Sequence, residues 1–376
     1  MTRRVILAGG GHAHLAVLAD WARAPLPGTA RTLITSARHT AYSGMLPGWM
    51  AGIYRADELL IDLTPLAQRA GAELVLADVA GLDAARQTLQ LSTGEAVAFD
   101  LLSLATGGET DTAALAGLGE HLLPVRPVND FMARWSQFLE RQSAASTPTV
   151  AVVGGGAGGV ELALAARAAL HPICHAARVV LVAGPHGLLP DHAPRVRALA
   201  SRALAERGVA VYAALAQGRA DGLALSTGAV LPADLVIAAT GSVAPAWLAQ
   251  SGLACTPRGY VSVGADLRSA SHPAIFAAGD IIQRSDRPLA RSGVHAVKAG
   301  PVLAANLRAA LTGAPLRTYQ PRNATLYLLS LGDGHAIASW GKLTGSGRWV
   351  WWIKDQIDRR FVSRYTAPLL TKGTSS

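Results

Sequence analysis

Hydrophobic and polar positions fall in blocks along the chain, and each block predicts an element. The opening apolar run, VILA at 5–8, is short and unbroken, as in a strand buried on both faces of a parallel sheet. Three glycines follow at once in VILAGGGHAH (5–14). Gly9 permits a tight turn there, and Gly11 lets backbone N–H groups approach a pyrophosphate. Apolar residues at helical spacing run on to about Arg23, and RTLIT (31–35) reads as a second strand. AYSGMLPGWMAGIY (41–54) is apolar, but its glycines and Pro47 bar regular helix or strand. It is expected to be irregular and to pack on a large flat ligand, with packing into the core as the alternative. AELVLADVAGLD (72–83) reads as one strand with Val79 near its end. A hairpin through Ser92-Thr93-Gly94 and an apolar strand in DLLSLATGG (100–108) follow.

The chain then repeats itself. VAVVGGGAGGVELALA (150–165) is again strand, glycine turn and helix, with G-x-G-x-x-G complete at Gly154, Gly156 and Gly159. In the first copy His14 stands at the third glycine, which suggests a slightly wider approach of helix to strand. LSTGEAVAFDLLSLATG (91–107) and LSTGAVLPADLVIAATG (225–241) are equal in length. They share the opening LSTG, an Asp before the strand and the closing ATG. Two such copies mean two dinucleotide-binding domains related by duplication. The expected fold is α/β, with two Rossmann-like dinucleotide-binding domains and a small C-terminal β/α region. The first domain is expected at 1–123 with 242–322, the second at 124–241, and the C-terminal region at 323–376. In that last region 324–341 alternates like antiparallel strands, and a helix follows from 348 to 365. Trp349, Trp352, Ile353, Ile357, Phe361 and Tyr365 would form one apolar face of that helix.

Charge sharpens the reading of this end. The net charge is +9, and from Trp340 onward seven Lys/Arg stand against two Asp, with four of the eight tryptophans. Basic residues interleaved with tryptophan point to an anionic membrane surface. A homodimer contact, or packing on the body of the protein, is the alternative use of the same face. No nucleic-acid module is recognisable, so no nucleic-acid partner is expected. No run reaches the ~18–20 apolar residues of a membrane span, and no separate apolar segment precedes the first strand. The expected location is therefore cytoplasmic, peripheral on the inner face of the cell membrane through the helix. Cys174 and Cys255 are far apart in sequence, so there is no disulfide framework and no C-x-x-C redox pair. His171, Cys174 and His175 lack distant partners for a four-coordinate site, and no metal is expected.

The paired glycine turns, the two ATG strand ends and IFAAGD (275–280) together resemble the FAD-dependent pyridine nucleotide-disulfide oxidoreductase superfamily. That superfamily includes type II NADH dehydrogenases and sulfide:quinone reductases. YSGMLPGWMAGIY, GVHAVKAGPVLAANL and RWVWWIKDQIDRRF look like the FAD-dependent oxidoreductases associated with selenophosphate synthetase, which implies a functional link to that enzyme. The resemblance implies FAD in the first domain, with Gly9, Gly11 and His12 at the pyrophosphate and Thr35 and Ser36 at the adenosine. It places Val79 at the adenine, Thr106 and Gly107 along the approach, and Asp280 at the ribityl chain or phosphate. Ser43, Pro47, Gly279 and Val294 complete that set. Gly154, Gly156 and Gly159 would hold the pyrophosphate of NADH or NADPH, with Glu161 near the nicotinamide. Glu161, His295 and Lys298 are the implied catalytic residues. Electrons would pass from NAD(P)H to flavin and on to a small acceptor, a quinone. The alternatives are a reductase of selenium or sulfur metabolism, or a flavin-holding interaction subunit. Ala183 stands where an acid would grip the NAD ribose, and nearby Arg178 and His186 would accommodate a 2′-phosphate, so the choice of nicotinamide stays open.

Overall fold

The computed structural model describes residues 2–322 and 324–366. Four parallel strands begin it: β1 (Arg3–Ala8), β2 (Thr29–Thr35), β3 (Glu73–Leu76) and β4 (Leu101–Leu104). Five more follow: β5 (Leu122–Pro124), β6 (Thr149–Val153), β7 (Arg178–Val182), β8 (Ala210–Tyr212) and β9 (Leu235–Ala238). With β10 (Ile275–Ala277) the first sheet runs β10-β4-β1-β2-β3, and the second runs β5-β9-β6-β7-β8. All pairings in both are parallel. Each sheet thus sets its glycine-turn strand at the centre, with the second strand on one side and the ATG strand on the other. This is the order of a doubly wound α/β fold.

The repeated residues have matching structural jobs. Asp100 accepts the N–H of Arg4 at 2.6 Å, and Asp234 accepts the N–H of Thr149 at 2.7 Å, so each Asp fastens the start of the neighbouring strand. Ser92 accepts from the N–H of Asp78, and Ser226 from that of Leu215. In both copies the LSTG turn closes with its glycine N–H on the leucine carbonyl. The duplication read from sequence is therefore one of hydrogen-bond pattern as well as of residues.

Helix α1 (His12–Arg23) follows the first turn and α2 (Ala157–Leu170) the second; α3 (Gly293–Thr312) packs on α1. Gly300 makes that packing close, since a Cβ there would stand 2.7 Å from the Cβ of Ala16. A three-stranded antiparallel sheet, β11 (Leu326–Ser330), β12 (Ala336–Trp340) and β13 (Leu343–Gly347), leads into α4 (Arg348–Thr366).

Three local expectations change. Residues 72–83 are not one strand: Glu73–Leu76 joins the first sheet, while Val79–Asp83 turns away into a separate hairpin sheet. Residues 41–54 are not irregular throughout. Ser43–Met45 is a 3-10 turn and Leu46–Met50 a short helix, with Pro47 in its first turn, where a missing N–H costs nothing. The apolar face of α4 is also different. Val350, Lys354, Asp358, Phe361, Val362 and Tyr365 are buried, while Trp349, Trp352 and Ile357 are exposed. The body packs on the face that carries a charged pair, with Trp351 stacked on Tyr54, and Trp349 and Trp352 point away from it.

Candidate active site

Both glycine turns close on the strand that ends in ATG. Gly9 has φ 98°, and a Cβ on Gly9 or on Gly11 would collide with the carbonyl oxygen of Ala105. Gly154, at φ 137°, meets the carbonyl of Ala239 in the same way, and Gly159 meets that of Gly154. Only glycine fits such a backbone approach. His14, in place of the third glycine of the first copy, is fully buried. Its Nδ1 lies 2.6 Å from the carbonyl oxygen of Gly9 and its Nε2 2.8 Å from Oγ of Ser103. The histidine ties the turn to β4. Burial lowers its pKa to about 4, so it is neutral at physiological pH.

A cavity of about 560 Å³ opens at the C-terminal ends of the first sheet's strands. The first turn gives it Gly9, Gly11 and His12, the end of β2 gives Thr35 and Ser36, and the end of β4 leads into Thr106 and Gly107. Ser43, Val79, Gly279 and Asp280 complete the expected residues that line it. The first turns of α1 and α3 border it, and neither the N-cap of α1, Gly11, nor that of α3, Ser292, caps its helix with a side chain. Free N–H groups and partial positive charge are thus left for an anion. Thr106 Oγ1 and Ser292 Oγ are buried with no partner among the described residues. The orphaned Thr106 hydroxyl, two uncapped helix ends and a backbone turn that tolerates no Cβ fit the pyrophosphate and hydroxyls of FAD, while Ser292 lines a small adjoining pocket. The second turn repeats the fit on a smaller scale: Gly156 is an N-cap without a side chain, with open space where a Cβ would project.

Several other expected residues lie elsewhere. Pro47 is buried in its short helix, and Val294 yields its place on the cavity to Gly293 and Ala296. Glu161 does not line the cavity. Its Oε1 accepts the N–H of Ser330 at 2.7 Å, and burial raises its pKa to about 7 against the pull of Lys354. His295 lines a small adjoining pocket with Asp280, Arg291 and Tyr319, and its Nδ1 lies 3.0 Å from the Tyr319 hydroxyl. Burial, reinforced by Lys298, lowers its pKa. Lys298 itself is exposed on α3 and borders neither pocket. Arg178 opens β7 at the end opposite Ala183, about 16 Å of strand away, so it cannot serve a nucleotide at the strand's C-terminal end. His186 is exposed on the loop beyond.

Sequence reasoning missed Arg126, Asn129 and Trp247, all on the cavity wall. Arg126 pairs with Asp280 at 2.6 Å. The available signal was an arginine among the prolines of 124–127, where the chain crosses between the two sheets.

The wall that carries Ser43 is held from behind by α4. Lys354 Nζ donates to the Gly44 carbonyl at 2.6 Å and to Asp358 at 2.5 Å. Phe361 stacks on Tyr42 with ring centroids 4.3 Å apart, and Tyr54 donates to Asp355 at 2.8 Å. The last helix thus reaches the first turn through residues 42–54.

The sequence model of a family described as pyridine nucleotide-disulphide oxidoreductase matches residues 3–300. An NADH dehydrogenase-like protein of Mycobacterium tuberculosis (strain H37Rv) is 32% identical over 229 residues, covering 56% of this chain and 56% of the relative. Demethylphylloquinone reductase of Synechocystis is 29% identical over 265 residues, covering 67% of this chain and 64% of the relative. The chain therefore spans between half and two thirds of the length of these relatives. The sulfide:quinone oxidoreductase of Aquifex aeolicus shares the fold, with a TM-score of 0.79 at 18% identity over 97% of this chain and 91% of that one.

Proposed function

The chain belongs to the pyridine nucleotide-disulphide oxidoreductase family, FAD-containing enzymes that use NAD(P)H, and on that premise we propose that it moves electrons from NAD(P)H through FAD to a quinone. The observation that carries this reading is the pair of glycine turns, each closed on a matching carbonyl, one of which opens into the large cavity. In this reading FAD lies in the first cavity, and the nicotinamide coenzyme is held at Gly154, Gly156 and Gly159.

Bound FAD supplies the two-electron chemistry, so the chain needs no nucleophile of its own. Its own work is to hold and polarise. The free N–H groups of the first turn of α1 would hold the pyrophosphate, and Thr106 would offer a hydroxyl to the cofactor. Asp280, held by Arg126, would accept from a cofactor hydroxyl. The N-terminus of α3 brings partial positive charge to the cavity, which favours negative charge there. In this reading His295, which lines the adjoining pocket with Asp280, would pass a proton to the acceptor. Its replacement by Ala with unchanged turnover would remove it from that role.

A quinone in lipid fits a protein that displays Trp349, Trp352, Trp340 and Leu343 beside Lys342 and Arg348. Among the described residues, no helix is long and apolar enough to cross a membrane. Anaerobic mixing with NADH and then NADPH tests the donor half: a flavin bleached by neither overturns it. Quinone, a ferredoxin-type protein and a sulfur or selenium acceptor are then added singly to the reduced protein. Reoxidation by one of the others, and not by quinone, overturns the acceptor half.

A further inference from the structure

The polar groups that the chain offers to the large cavity include donors, among them the first N–H groups of α1 and α3, the Thr106 hydroxyl and the Arg126 guanidinium; the charged acceptors there are carboxylates, Asp280 among them and paired with Arg126. His12 is different. It is the first residue of α1, it lines the cavity, and its Nε2 lies 3.2 Å from the carbonyl oxygen of Ala41. A carbonyl oxygen only accepts, so Nε2 carries the proton. Burial lowers the pKa of this imidazole; the Ala41 carbonyl and Asp280 oppose that shift, and Arg126 adds to it. The ring is neutral, and Nδ1 is a bare lone pair. Nδ1 has no hydrogen-bond partner among the described residues. It faces the start of α3, where a Cβ on Gly293 would stand 3.7 Å from it and 3.3 Å from Ser43 Oγ.

The ring is also braced. Tyr42 meets it edge-on at 5.5 Å and Phe361 at 5.9 Å, and those two rings stack on each other. A lone pair suits no phosphate oxygen, since both would be acceptors. It suits an O–H donor close to the start of α1. In FAD the donors beside the pyrophosphate on the flavin side are the hydroxyls of the ribityl chain, which ADP lacks.

We propose that His12 Nδ1 accepts a hydrogen bond from a ribityl hydroxyl of FAD, and that Phe361, near the other end of the chain, is the positioning residue that holds His12 for it. The inference rests on the reading that FAD occupies this cavity. It moves His12 from the pyrophosphate to the flavin half of the ligand, and it gives α4 a part in cofactor retention.

The test uses the purified full-length holoenzyme. The dissociation constant of FAD is read from flavin fluorescence on dilution, and that of ADP from its competition with FAD. His12→Phe keeps an aromatic ring against Tyr42 and Phe361 but removes the acceptor. It should weaken FAD about three- to tenfold and leave ADP unchanged. His12→Gln, whose carbonyl restores an acceptor, should recover part of that loss. Phe361→Leu should weaken FAD without weakening ADP, and should add little in the His12→Phe background. FAD binding by His12→Phe as tight as wild type, or equal loss of FAD and ADP, would overturn the role of His12. A wild-type chain that binds ADP but not FAD would instead overturn the cavity reading beneath it.

Discussion

Lys354 and Asp358, one turn apart on α4, pair at 2.5 Å with each side chain only 6% exposed. The lysine also donates to the Gly44 carbonyl, so the pair binds the last helix to the segment that carries Ser43. Burial holds the Asp358 carboxyl above its usual pKa, with Lys354 acting in the other direction. Two charges taken out of water together gain little over an apolar pair, but either one left alone is costly. Lys354→Met should therefore lower unfolding stability by about 3–5 kcal/mol, whereas Lys354→Met with Asp358→Leu should recover most of it. Urea midpoints of the three proteins read the difference.

His14 makes stability depend on pH in a definite direction. Its pKa falls from 6.5 to about 4 on folding, so below pH 6.5 the unfolded chain takes up a proton that the native turn refuses. Its contribution is full above pH 6.5 and is lost as the pH falls toward 4, by about 3 kcal/mol over that window. Replacement by Gln removes the titrating group. The stability gap between His14→Gln and wild type should shift by that amount between pH 7 and pH 4.

Glu161 works in the opposite sense. Burial raises its pKa from 4.5 to about 7, so native stability is present below pH 4.5 and declines as the pH rises through 7. Glu161→Gln still accepts the Ser330 N–H but carries no charge. Its unfolding midpoint should exceed that of wild type at pH 8 and converge with it at pH 4.

The two glycine turns can be separated by single methyl groups. A Cβ on Gly9 would strike the Ala105 carbonyl, and one on Gly154 the Ala239 carbonyl. Gly9→Ala should purify with little flavin. Gly154→Ala should keep its flavin yet bleach at least tenfold more slowly with NADH or NADPH. Absorbance of the purified proteins and stopped-flow mixing with each nicotinamide check both.

The fold was legible because the duplication repeats side chains whose jobs are local: glycines at turns, an Asp at each strand start, a Ser at each hairpin. The first cavity was legible for the same reason, since Thr35, Ser36, Thr106 and Gly107 follow the ends of recognisable strands. Arg126 was not, because it enters from the crossing segment and meets Asp280 154 residues later in the chain. Nor was the seating of α4. Helical spacing gathered Phe361 and Tyr365 with Trp349 and Trp352, but a periodicity cannot tell which side of a helix a distant Tyr42 will claim. Glu161 was assigned by the family resemblance alone, while its partner Ser330 lies in a sheet formed much later in sequence.

The displaced tryptophans form a surface with a testable use. In the C-terminal sheet Leu326 pairs with Trp340 and Trp340 with Leu343, so the three share one face, and all are exposed. Trp349 lies over Gly345 and Gly347, where the lack of side chains leaves room for its ring. Trp349 and Trp352 stay 59% and 64% exposed, and Lys342 and Arg348 sit among them. An exposed apolar patch with cations beside it in the chain costs solubility in water and suits an interface between acyl chains and anionic headgroups. The protein should sediment with vesicles containing phosphatidylglycerol and much less with neutral ones. Added salt should weaken the binding without abolishing it, because the aromatic part is not screened. Burial of each tryptophan contributes roughly 1.5–3 kcal/mol, so replacing both Trp349 and Trp352 with Ser should lower partitioning at least tenfold, while the buried face of α4 and the flavin stay in place. If the double variant binds vesicles like wild type, the patch is no membrane surface. Loss of a wild-type dimer in light scattering would instead assign it to a second copy of the chain.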